Sequence, residues 1–316
     1  NLTIKAVMNE EDIRDVFFDR IYEIGSKNSN IMVISADMDA FSLRKFAEDF
    51  PQQYLNVGVS EQNMINIAAG LALSGKTVFC YSIASFATLR CYEQIKVNLC
   101  SMNLPVIIIG AGAGFSFGYD GPTHHGIQDI SSMRLLPEMG IVELSSNDVA
   151  KKAVDYAIEA NAPCYIKLDK GPFPDWSDVE PNFSKGYRLL RPLSDINLVS
   201  NGYMTREVLK VADDLNKSGY SLGVIDLFRF KPFPEEFLEE ILKSSKKIIS
   251  IEEGCKTGGL GTVLSEIIAQ TDAACQLGVI GSPDKQLIEY GEREWFHEVY
   301  NLSGSGLRDQ IVKFSE

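Results

Sequence analysis

The stretch that decides the fold is an apolar strand running into a glycine-rich loop, Leu104-Pro-Val-Ile-Ile-Ile-Gly-Ala-Gly-Ala-Gly-Phe-Ser-Phe-Gly-Tyr-Asp-Gly-Pro-Thr-His-His-Gly126. Residues 105–109 are apolar without alternation, which is typical of a strand covered on both faces. The loop 110–126 holds six of the 25 glycines and two of the three histidines. Because ligands of open parallel sheets bind beyond the carboxyl ends of the strands, this loop is the first candidate for a site.

On both sides of this strand, apolar runs alternate with stretches of helical periodicity. Alternation at these lengths predicts a parallel, doubly wound α/β sheet. The predicted strands are 31–35, 54–57, 77–81, 105–109, 141–144 and 164–168, and the predicted helices are 10–24, 42–49, 61–74, 85–100, 127–135 and 147–160.

A change in composition at residues 171–192, which carry four prolines, predicts a linker. Beyond it the alternation starts again, with strands at 197–200, 221–225, 247–251 and 276–280 and helices at 204–218, 234–244, 260–271 and 306–314. We therefore expect two α/β domains, 1–172 and 195–316, joined by a linker at 173–194.

Charge and composition exclude several classes of function. The 316 residues carry 30 Lys and Arg against 43 Asp and Glu, a net charge of −13, without a block of basic residues. Such a chain repels nucleic acid. The longest apolar runs fall far short of the roughly 18 residues that a membrane span needs. None of the six cysteines forms C-x-x-C, which favours reduced thiols and a cytoplasmic, soluble protein.

Two groups of residues are candidates for chemistry. Glu61 opens the apolar helix 61–74, where it is either a first-turn glutamate favoured by the helix dipole or a functional carboxylate whose pKa is raised by apolar surroundings. His124 and His125 are either functional imidazoles or loop histidines. The loop 110–126 contains no G-x-G-x-x-G, Walker or metal-ligand spacing.

Five segments resemble one family in order and spacing. They are Asn56-Val-Gly-Val-Ser-Glu-Gln-Asn63, Phe86-Ala-Thr-Leu-Arg-Cys-Tyr-Glu-Gln94, Asp120-Gly-Pro-Thr-His-His125, Val199-Ser-Asn-Gly202 and Glu252-Glu-Gly-Cys-Lys-Thr-Gly-Gly-Leu-Gly261. The first three resemble the pyrimidine-binding domain of transketolases and the last two resemble the transketolase C-terminal domain. The resemblance implies two doubly wound domains in that order, covering nearly the whole chain.

Transketolases depend on thiamine diphosphate, so the resemblance implies a transferase that moves a two-carbon ketol unit from a ketose to an aldehyde. It implies that Glu61 is catalytic and hydrogen-bonds N1′ of the cofactor's pyrimidine ring. The resemblance also places Phe86, Leu89 and Tyr92 around that ring. A core role for Phe86 is the alternative.

The same resemblance implies a set of substrate residues. His124 matches the histidine that contacts substrate hydroxyls and assists proton transfer, and Asp120 matches the aspartate near the donor hydroxyl. Arg44 and Lys170 match cations that hold the sugar phosphate, with solvated surface charges as the alternative. Gly112 stands where many transketolases have a histidine, which leaves the preferred sugar, its phosphorylation and its pathway open.

The family holds the diphosphate and its metal through a G-D-G motif followed by an asparagine, and no G-D-G occurs in these 316 residues. The resemblance therefore implies a separately encoded partner that holds Mg²⁺, Ca²⁺ or Mn²⁺, with no metal ligand in this chain. We expect a dimer of heterodimers. The alternatives are a 2-oxoacid dehydrogenase β-like chain, which the Asp120–His125 run disfavours, a deoxyxylulose-phosphate synthase-like carboligase, and a non-catalytic regulatory remnant.

Overall fold

A computed structural model describes residues 11–176 and 178–316. Residues 1–10 of the predicted first domain lie outside the described part. The first helix, α1 (Ile13–Gly25), is capped by Asp12, whose side chain accepts a hydrogen bond from the backbone N–H of Arg14 at 3.0 Å. This cap lies against the end of the first domain, because the backbone N–H of Ile13 donates to the carbonyl of Gly171 at 3.0 Å.

The first domain alternates strands and helices as the sequence predicts. Its strands are β1 (Ile31–Ser35), β2 (Tyr54–Asn56), β3 (Thr77–Ile83), β4 (Val106–Ala111), β5 (Gly140–Glu143) and β6 (Cys164–Leu168). The helices after α1 are α2 (Phe41–Asp49), α3 (Glu61–Leu73), α4 (Ala84–Ala87), α5 (Tyr92–Gln94), α6 (Asp129–Met133) and α7 (Asn147–Ala160).

The second domain repeats this pattern. Its strands are β7 (Tyr187–Arg191), β8 (Ile196–Ser200), β9 (Leu222–Leu227), β10 (Arg229–Lys231), β11 (Lys247–Cys255) and β12 (Gln276–Ser282), and its helices are α8 (Met204–Lys217), α9 (Glu235–Phe237), α10 (Leu260–Ile268), α11 (Arg293–Val299) and α12 (Gly304–Ser315). The end of the predicted linker differs from the prediction, because residues 187–191 pair antiparallel with β9 as the edge strand β7. Pro181 and Pro192 flank this strand, so the composition of the segment resembles that of a linker.

Two sheets carry the architecture. The first has the order β10-β5-β6-β4-β3-β1-β2 and is parallel except for β10, which comes from the second domain and pairs antiparallel with β5. The second has the order β12-β11-β8-β9-β7, with only β7 antiparallel. A cluster of buried apolar side chains continues from the α3 face of the first sheet into the second sheet. The two domains therefore share both a strand and a hydrophobic core.

The segment predicted as one helix at 85–100 is broken into four pieces. After α4, the chain forms a 3₁₀ turn (Leu89–Cys91), then α5, then a π-helical stretch (Ile95–Cys100). The break centres on Thr88, whose φ of −113° and ψ of −77° leave the helix and whose buried hydroxyl donates to the carbonyl of Ala84 at 2.6 Å. Threonine competes in this way with helical hydrogen bonding. The break matters because it lies between Phe86 and Tyr92.

Within the described ranges, no helix is long and apolar enough to cross a membrane.

Candidate active site

Glu61 lies at the start of α3, beyond the carboxyl end of β2. Its side chain is only 3% exposed, although it belongs to the first turn of a helix. One carboxylate oxygen, Oε2, accepts a hydrogen bond from Nη1 of Arg90 at 2.8 Å, and the hydroxyl of Ser82 lies 3.5 Å from Oε1. Burial of a carboxylate costs free energy even when one cation lies beside it. A carboxylate that the fold nevertheless buries is a candidate for a functional role.

Arg90 was not predicted as a site residue. Its guanidinium carbon lies 3.9 Å from the centroid of the Phe86 ring, in addition to the contact with Glu61. Arg90 lies in the 3₁₀ turn that follows Thr88, four residues after Phe86. The motif Phe86–Gln94 contains this arginine, so a search of that motif for a cationic partner of Glu61 would have found it.

The ring of Phe86 also contacts the predicted catalytic histidine. The ring centroids of Phe86 and His124 are 4.9 Å apart in an edge-to-face arrangement. The hydroxyl of Ser85 donates to the carbonyl of Thr123 at 2.6 Å, which ties the histidine loop to the start of α4. The structure therefore brings Glu61, Phe86 and His124 together through direct or shared contacts.

The other two predicted cofactor residues lie further along the same segment. Leu89 is 44% exposed. The hydroxyl of Tyr92 donates a hydrogen bond at 3.0 Å to the carbonyl of Ser132, which lies in helix α6. The hydroxyl of Tyr92 is thus used to hold α6 against the broken helix, and only its ring is free to line a slot.

The two histidines of the loop face different parts of the molecule. His124 is half-buried beside Phe86, and Thr123 Oγ1 lies 2.9 Å from its Nδ1. His125 is buried between the rings of Phe115 and Phe296, at centroid distances of 5.4 and 5.2 Å, and burial lowers its pKa. His124 is therefore the histidine on the candidate site, and His125 is a packing residue between the domains.

The backbone and the surroundings of position 112 account for a glycine there. Its φ is +87°, a left-handed conformation that favours glycine, and a Cβ at this position would lie 2.1 Å from the ring of Phe117. A histidine at residue 112 would require both a strained backbone and a new place for Phe117. The phenyl ring of Phe117 thus occupies the space that a side chain at position 112 would need.

The two predicted substrate cations, Arg44 and Lys170, differ in their surroundings. The side chain of Arg44 is 65% exposed and pairs with Asp39, so the structure gives it a surface ion pair. Lys170 lies with Nζ 4.1 Å from the Phe117 centroid. Burial lowers the pKa of Lys170, the positive charge of Arg14 lowers it further, and the negative charge of Asp120 opposes this shift. Arg14 and Asp120 therefore belong to the electrostatic environment of Lys170.

Arg14 is a second residue that the sequence analysis missed. It follows the Asp12 cap of α1, and its Nη2 lies 2.7 Å from the Asp12 carboxylate. An isolated β-bridge joins Asp12 to Pro172, so the first turn of α1 lies beside the segment that carries Lys170. No spacing in the sequence connects residues 14 and 170.

A buried ionic network underlies the histidine loop. The ammonium of Lys167 donates to the carbonyl of Gly126 at 2.8 Å and to Asp129 at 3.0 Å, and lies 3.7 Å from Glu143. Burial raises the pKa of Glu143 to about 7 although Lys167 opposes the shift. Glu143 also accepts a hydrogen bond from Asn201 of the second domain. The network therefore links the loop to both domains.

The fold and the site together define a class: a two-domain α/β protein with a buried carboxylate, an aromatic ring and a histidine beyond the carboxyl edge of its first parallel sheet. Residues 10–174 match the family model described as "Transketolase, pyrimidine binding domain", and residues 186–302 match "Transketolase, C-terminal domain". The chain belongs to the transketolase family. The predicted family and the predicted fold class of two doubly wound domains are confirmed.

Two relatives differ in how much of their own length this chain covers. It is 30% identical over 309 residues to one subunit of the apulose-4-phosphate transketolase of Actinobacillus succinogenes, across 97% of this chain and 99% of that protein. It is 32% identical over 320 residues to 1-deoxy-D-xylulose-5-phosphate synthase of Cytophaga hutchinsonii, across 93% of this chain but only 49% of that protein. The chain thus spans nearly the whole of the first relative and half of the second.

A solved structure described as a split gene transketolase, an inactive beta4 tetramer, superimposes with a TM-score of 0.85 at 28% identity. The match covers 96% of this chain and 98% of that chain. Similarity to transketolases, which are transferases, and to a chain of a split transketolase therefore extends over nearly the full length.

Proposed function

We propose that this chain is the second subunit of a split, thiamine diphosphate-dependent transketolase, which transfers a two-carbon ketol unit from a ketose or ketose phosphate to an aldehyde. The observation that carries the proposal is the buried carboxylate of Glu61, paired with Arg90 over the ring of Phe86, together with the contact between that ring and His124. The end-to-end similarity to one subunit of an apulose-4-phosphate transketolase supports it.

The residues present fit the aminopyrimidine end of the cofactor. The guanidinium of Arg90 is a planar group with N–H donors, and it lies on the face of Phe86 while it donates to Glu61. A planar heterocycle with donors at its edge would make the same two kinds of contact. Phe86 would hold the ring, Glu61 would hydrogen-bond N1′, and Arg90 would turn away from the ring face. Leu89 and the Tyr92 ring would line the slot.

Thiamine diphosphate, when bound, supplies the carbon nucleophile and the electron sink that cleavage of a ketose requires. The chain supplies proton transfer and orientation. Glu61, kept dry by burial, holds the proton at N1′. His124 lies half-exposed at the rim of the Phe86 slot and accepts or donates a proton at the substrate hydroxyl.

Asp120 orients a hydroxyl of the donor, and Lys170 provides a positive charge for a phosphate. Arg14 lies in the same electrostatic environment and adds a second cation. Arg14 is paired with Asp12 and Arg44 with Asp39, but the Arg14 side chain is 26% exposed and that of Arg44 is 65% exposed. A guanidinium binds an anionic oxygen pair with more directional contacts than an ammonium does. We therefore propose that Lys170 and Arg14 hold the anionic end of the substrate, and that Arg44, which is more exposed, contributes less to it.

The partner is assigned to the exposed face of α3. One face of this helix carries exposed small or polar residues and one leucine: Gln62, Asn63, Asn66, Gly70 and Leu73. A Cβ added at Gly70 would meet no atom within 4 Å, so another backbone can approach closely there. We propose that a partner with the G-D-G motif docks on this face, holds the diphosphate with Mg²⁺, Ca²⁺ or Mn²⁺, and forms a dimer of heterodimers with this chain.

The thiols fit a reducing compartment. All six cysteines are free, and four of them are buried. Burial raises the pKa of Cys80 and of Cys164, so these thiols are unreactive packing groups. We propose that the enzyme works in the cytoplasm.

The test is reconstitution with the separately encoded partner. The chain is purified alone and together with a partner that contains G-D-G, and each sample is titrated with thiamine diphosphate and Mg²⁺ by calorimetry and assayed with ketose phosphate and aldehyde. Binding and turnover only in the pair support the proposal. Tight cofactor binding and turnover by the chain alone would contradict the split arrangement.

A second candidate is carboligation of the deoxyxylulose-phosphate synthase type, which the 32% identity to that enzyme favours. The same reconstituted pair separates the two activities when pyruvate replaces the ketose as donor. Condensation from pyruvate with release of CO₂ would replace the transketolase proposal. Absence of turnover with both donors, in a pair that binds the cofactor, would favour a regulatory remnant.

A further inference from the structure

The second domain reaches the histidine loop along most of its length. The loop residues 112–126 and the residue after them receive contacts from β11, from α11 and from the segment between β12 and α11. Four of these contacts are Arg293 Nη2 to the carbonyl of Ala113 at 2.6 Å, Phe115 N–H to the carboxylate of Glu253, Gly291 N–H to the carbonyl of Gly118 at 3.2 Å, and Cys255 N–H to the carbonyl of Ile127 at 3.0 Å.

Arg293 connects two separate segments of the first domain. Its side chain is 9% exposed, and Nη2 donates both to the carbonyl of Ala113 at 2.6 Å and to Oδ2 of Asp169 at 2.7 Å. Ala113 opens the loop that carries Asp120 and His124. Asp169 precedes Lys170. A single guanidinium therefore joins the loop and the strand end that carry the proposed substrate residues.

Arg293 is itself held rigidly from its own domain. Its Nε lies 2.9 Å from Oε1 of Glu253, and its guanidinium carbon lies 4.1 Å from the centroid of the Tyr203 ring. Glu253 in turn lies 2.8 Å from Nε2 of His297. Burial alone would raise the pKa of Glu253, but Arg293 and His297 outweigh it and hold that pKa at about 2. The Glu253 carboxylate is therefore ionised at neutral pH and pairs with the Arg293 guanidinium.

The backbone of the loop is shaped to accept this contact. Gly114 has a φ of +57°, and a Cβ there would lie 1.7 Å from Oε2 of Glu253. The next residue, Phe115, stacks on Phe296 of α11 with centroids 4.3 Å apart and planes 5° apart. The loop thus lies directly on the second domain, with a polar contact at Glu253 and an aromatic one at Phe296.

We propose that Arg293 is a positioning residue for the active site: from the second domain, it sets the loop that carries Asp120 and His124 against the segment that carries Lys170, and it does not contact the substrate. Its kinetic consequence depends on the proposed transketolase function, whereas its structural consequence does not. The second domain, which carries none of the proposed reacting groups, thereby takes a direct part in arranging them.

The first test uses this chain alone and measures hydrogen exchange. Arg293→Lys keeps the charge, but an ammonium lacks the planar fork that meets Ala113, Asp169 and Glu253 together. We expect faster exchange in residues 112–126 and at 169–171, with the rest of the chain unchanged. The control is Arg134→Lys. Arg134 forms an ion pair with Glu266 across the same domain boundary, and its side-chain hydrogen bonds go to Gly258 and Glu266 rather than to the loop 112–126. Equal protection of residues 112–126 in wild type and Arg293→Lys would overturn the proposal.

The second test uses the reconstituted pair and separates positioning from general destabilisation. We expect Arg293→Lys to lower kcat by about 100-fold, as a displacement near 1 Å of reacting groups does, while half-saturation by thiamine diphosphate and the Tm stay close to the wild-type values. A parallel fall in Tm and cofactor binding would assign Arg293 to general stability and overturn the proposal. If the wild-type pair has no activity, the proposed function fails, and the exchange experiment still decides the role of Arg293.

Discussion

Arg90 Nη1 lies 2.8 Å from Oε2 of Glu61. The two residues are 29 positions apart and meet because the broken helix after Thr88 turns back over the start of α3. The guanidinium also covers the ring of Phe86 at 3.9 Å. The carboxylate that we assign to cofactor activation is thus already paired in the chain by itself, and the contact surface for the cofactor ring is already occupied by a planar cation.

Glu61→Gln in the reconstituted pair is expected to lower turnover by at least about 10²–10⁴-fold, because an amide keeps the shape but does not exchange a proton at N1′. The fold is expected to persist, with unchanged circular dichroism. The matched control is Glu93→Gln, an exposed glutamate on α5. Steady-state rates of ketose-phosphate-dependent transfer measure the effect, and wild-type turnover in Glu61→Gln would contradict the assignment.

Arg90→Ala is expected to lower the free energy of unfolding by about 1–2 kcal/mol, because it leaves the buried Glu61 carboxylate without its charged donor. The loss stays small because the Arg90 side chain is 41% exposed and solvent screens the pair. The double variant Glu61→Gln, Arg90→Ala is expected to lose less than the sum of the two single changes. Urea denaturation of the chain alone measures this coupling, with Lys96→Ala as the exposed control. Additive losses would mean that the pair contributes nothing.

The contribution of Glu143 to stability is expected to fall as the pH rises from about 5 to 8. Burial raises the pKa of Glu143 from an ordinary 4.5 to about 7, so the native state binds a proton that the unfolded chain has released in this range. More protons bound in the native state give an unfolding free energy that decreases with pH. Glu143→Gln is expected to remove about 1–3 kcal/mol of that decrease. Denaturation at several pH values measures it against the exposed control Glu159→Gln, and an unchanged pH slope would argue against a protonated Glu143.

Gly112→Ala is expected to lower the free energy of unfolding by about 1–3 kcal/mol, because the position combines a φ of +87° with the ring of Phe117 at 2.1 Å from the added Cβ. Gly70→Ala is the matched control. It lies inside α3 with no atom within 4 Å of an added Cβ, so it is expected to raise the free energy of unfolding by about 0.5–1 kcal/mol. Thermal melts compare the two, and equal effects would show that Phe117 does not exclude side chains at position 112.

Arg14→Met is expected to raise the KM for a phosphorylated donor by about tenfold or more, because it removes a cation from the surroundings of Lys170. Arg44→Met is expected to change that KM little, because Arg44 is exposed and paired with Asp39. The comparison is made with phosphorylated and unphosphorylated ketoses in the reconstituted pair. A larger effect from Arg44 than from Arg14 would assign the anionic end of the substrate to Arg44 instead.

The alternation of apolar runs and helical periodicity predicted strands β1 to β6 of the first sheet and the position of the histidine loop after β4. The same periodicity failed at 85–100, because apolar spacing does not report the hydroxyl of Thr88 that competes with the helix. Two strands also escaped it. β7 lies among prolines, and β10 is only three residues long and pairs with a sheet from the other domain.

By itself, the sequence determined the family, the order of the two domains and the segments that carry Glu61, Phe86 and His124. Local patterns sufficed for this because periodicity and short motifs depend on neighbours along the chain. Only the tertiary structure decided which charges meet. The sequence separation is 29 residues for Arg90 and Glu61, 124 for Arg293 and Asp169, and 156 for Arg14 and Lys170, which share one electrostatic environment. Such pairs depend on which strand ends are neighbours in the sheet and on how the second domain packs against the first.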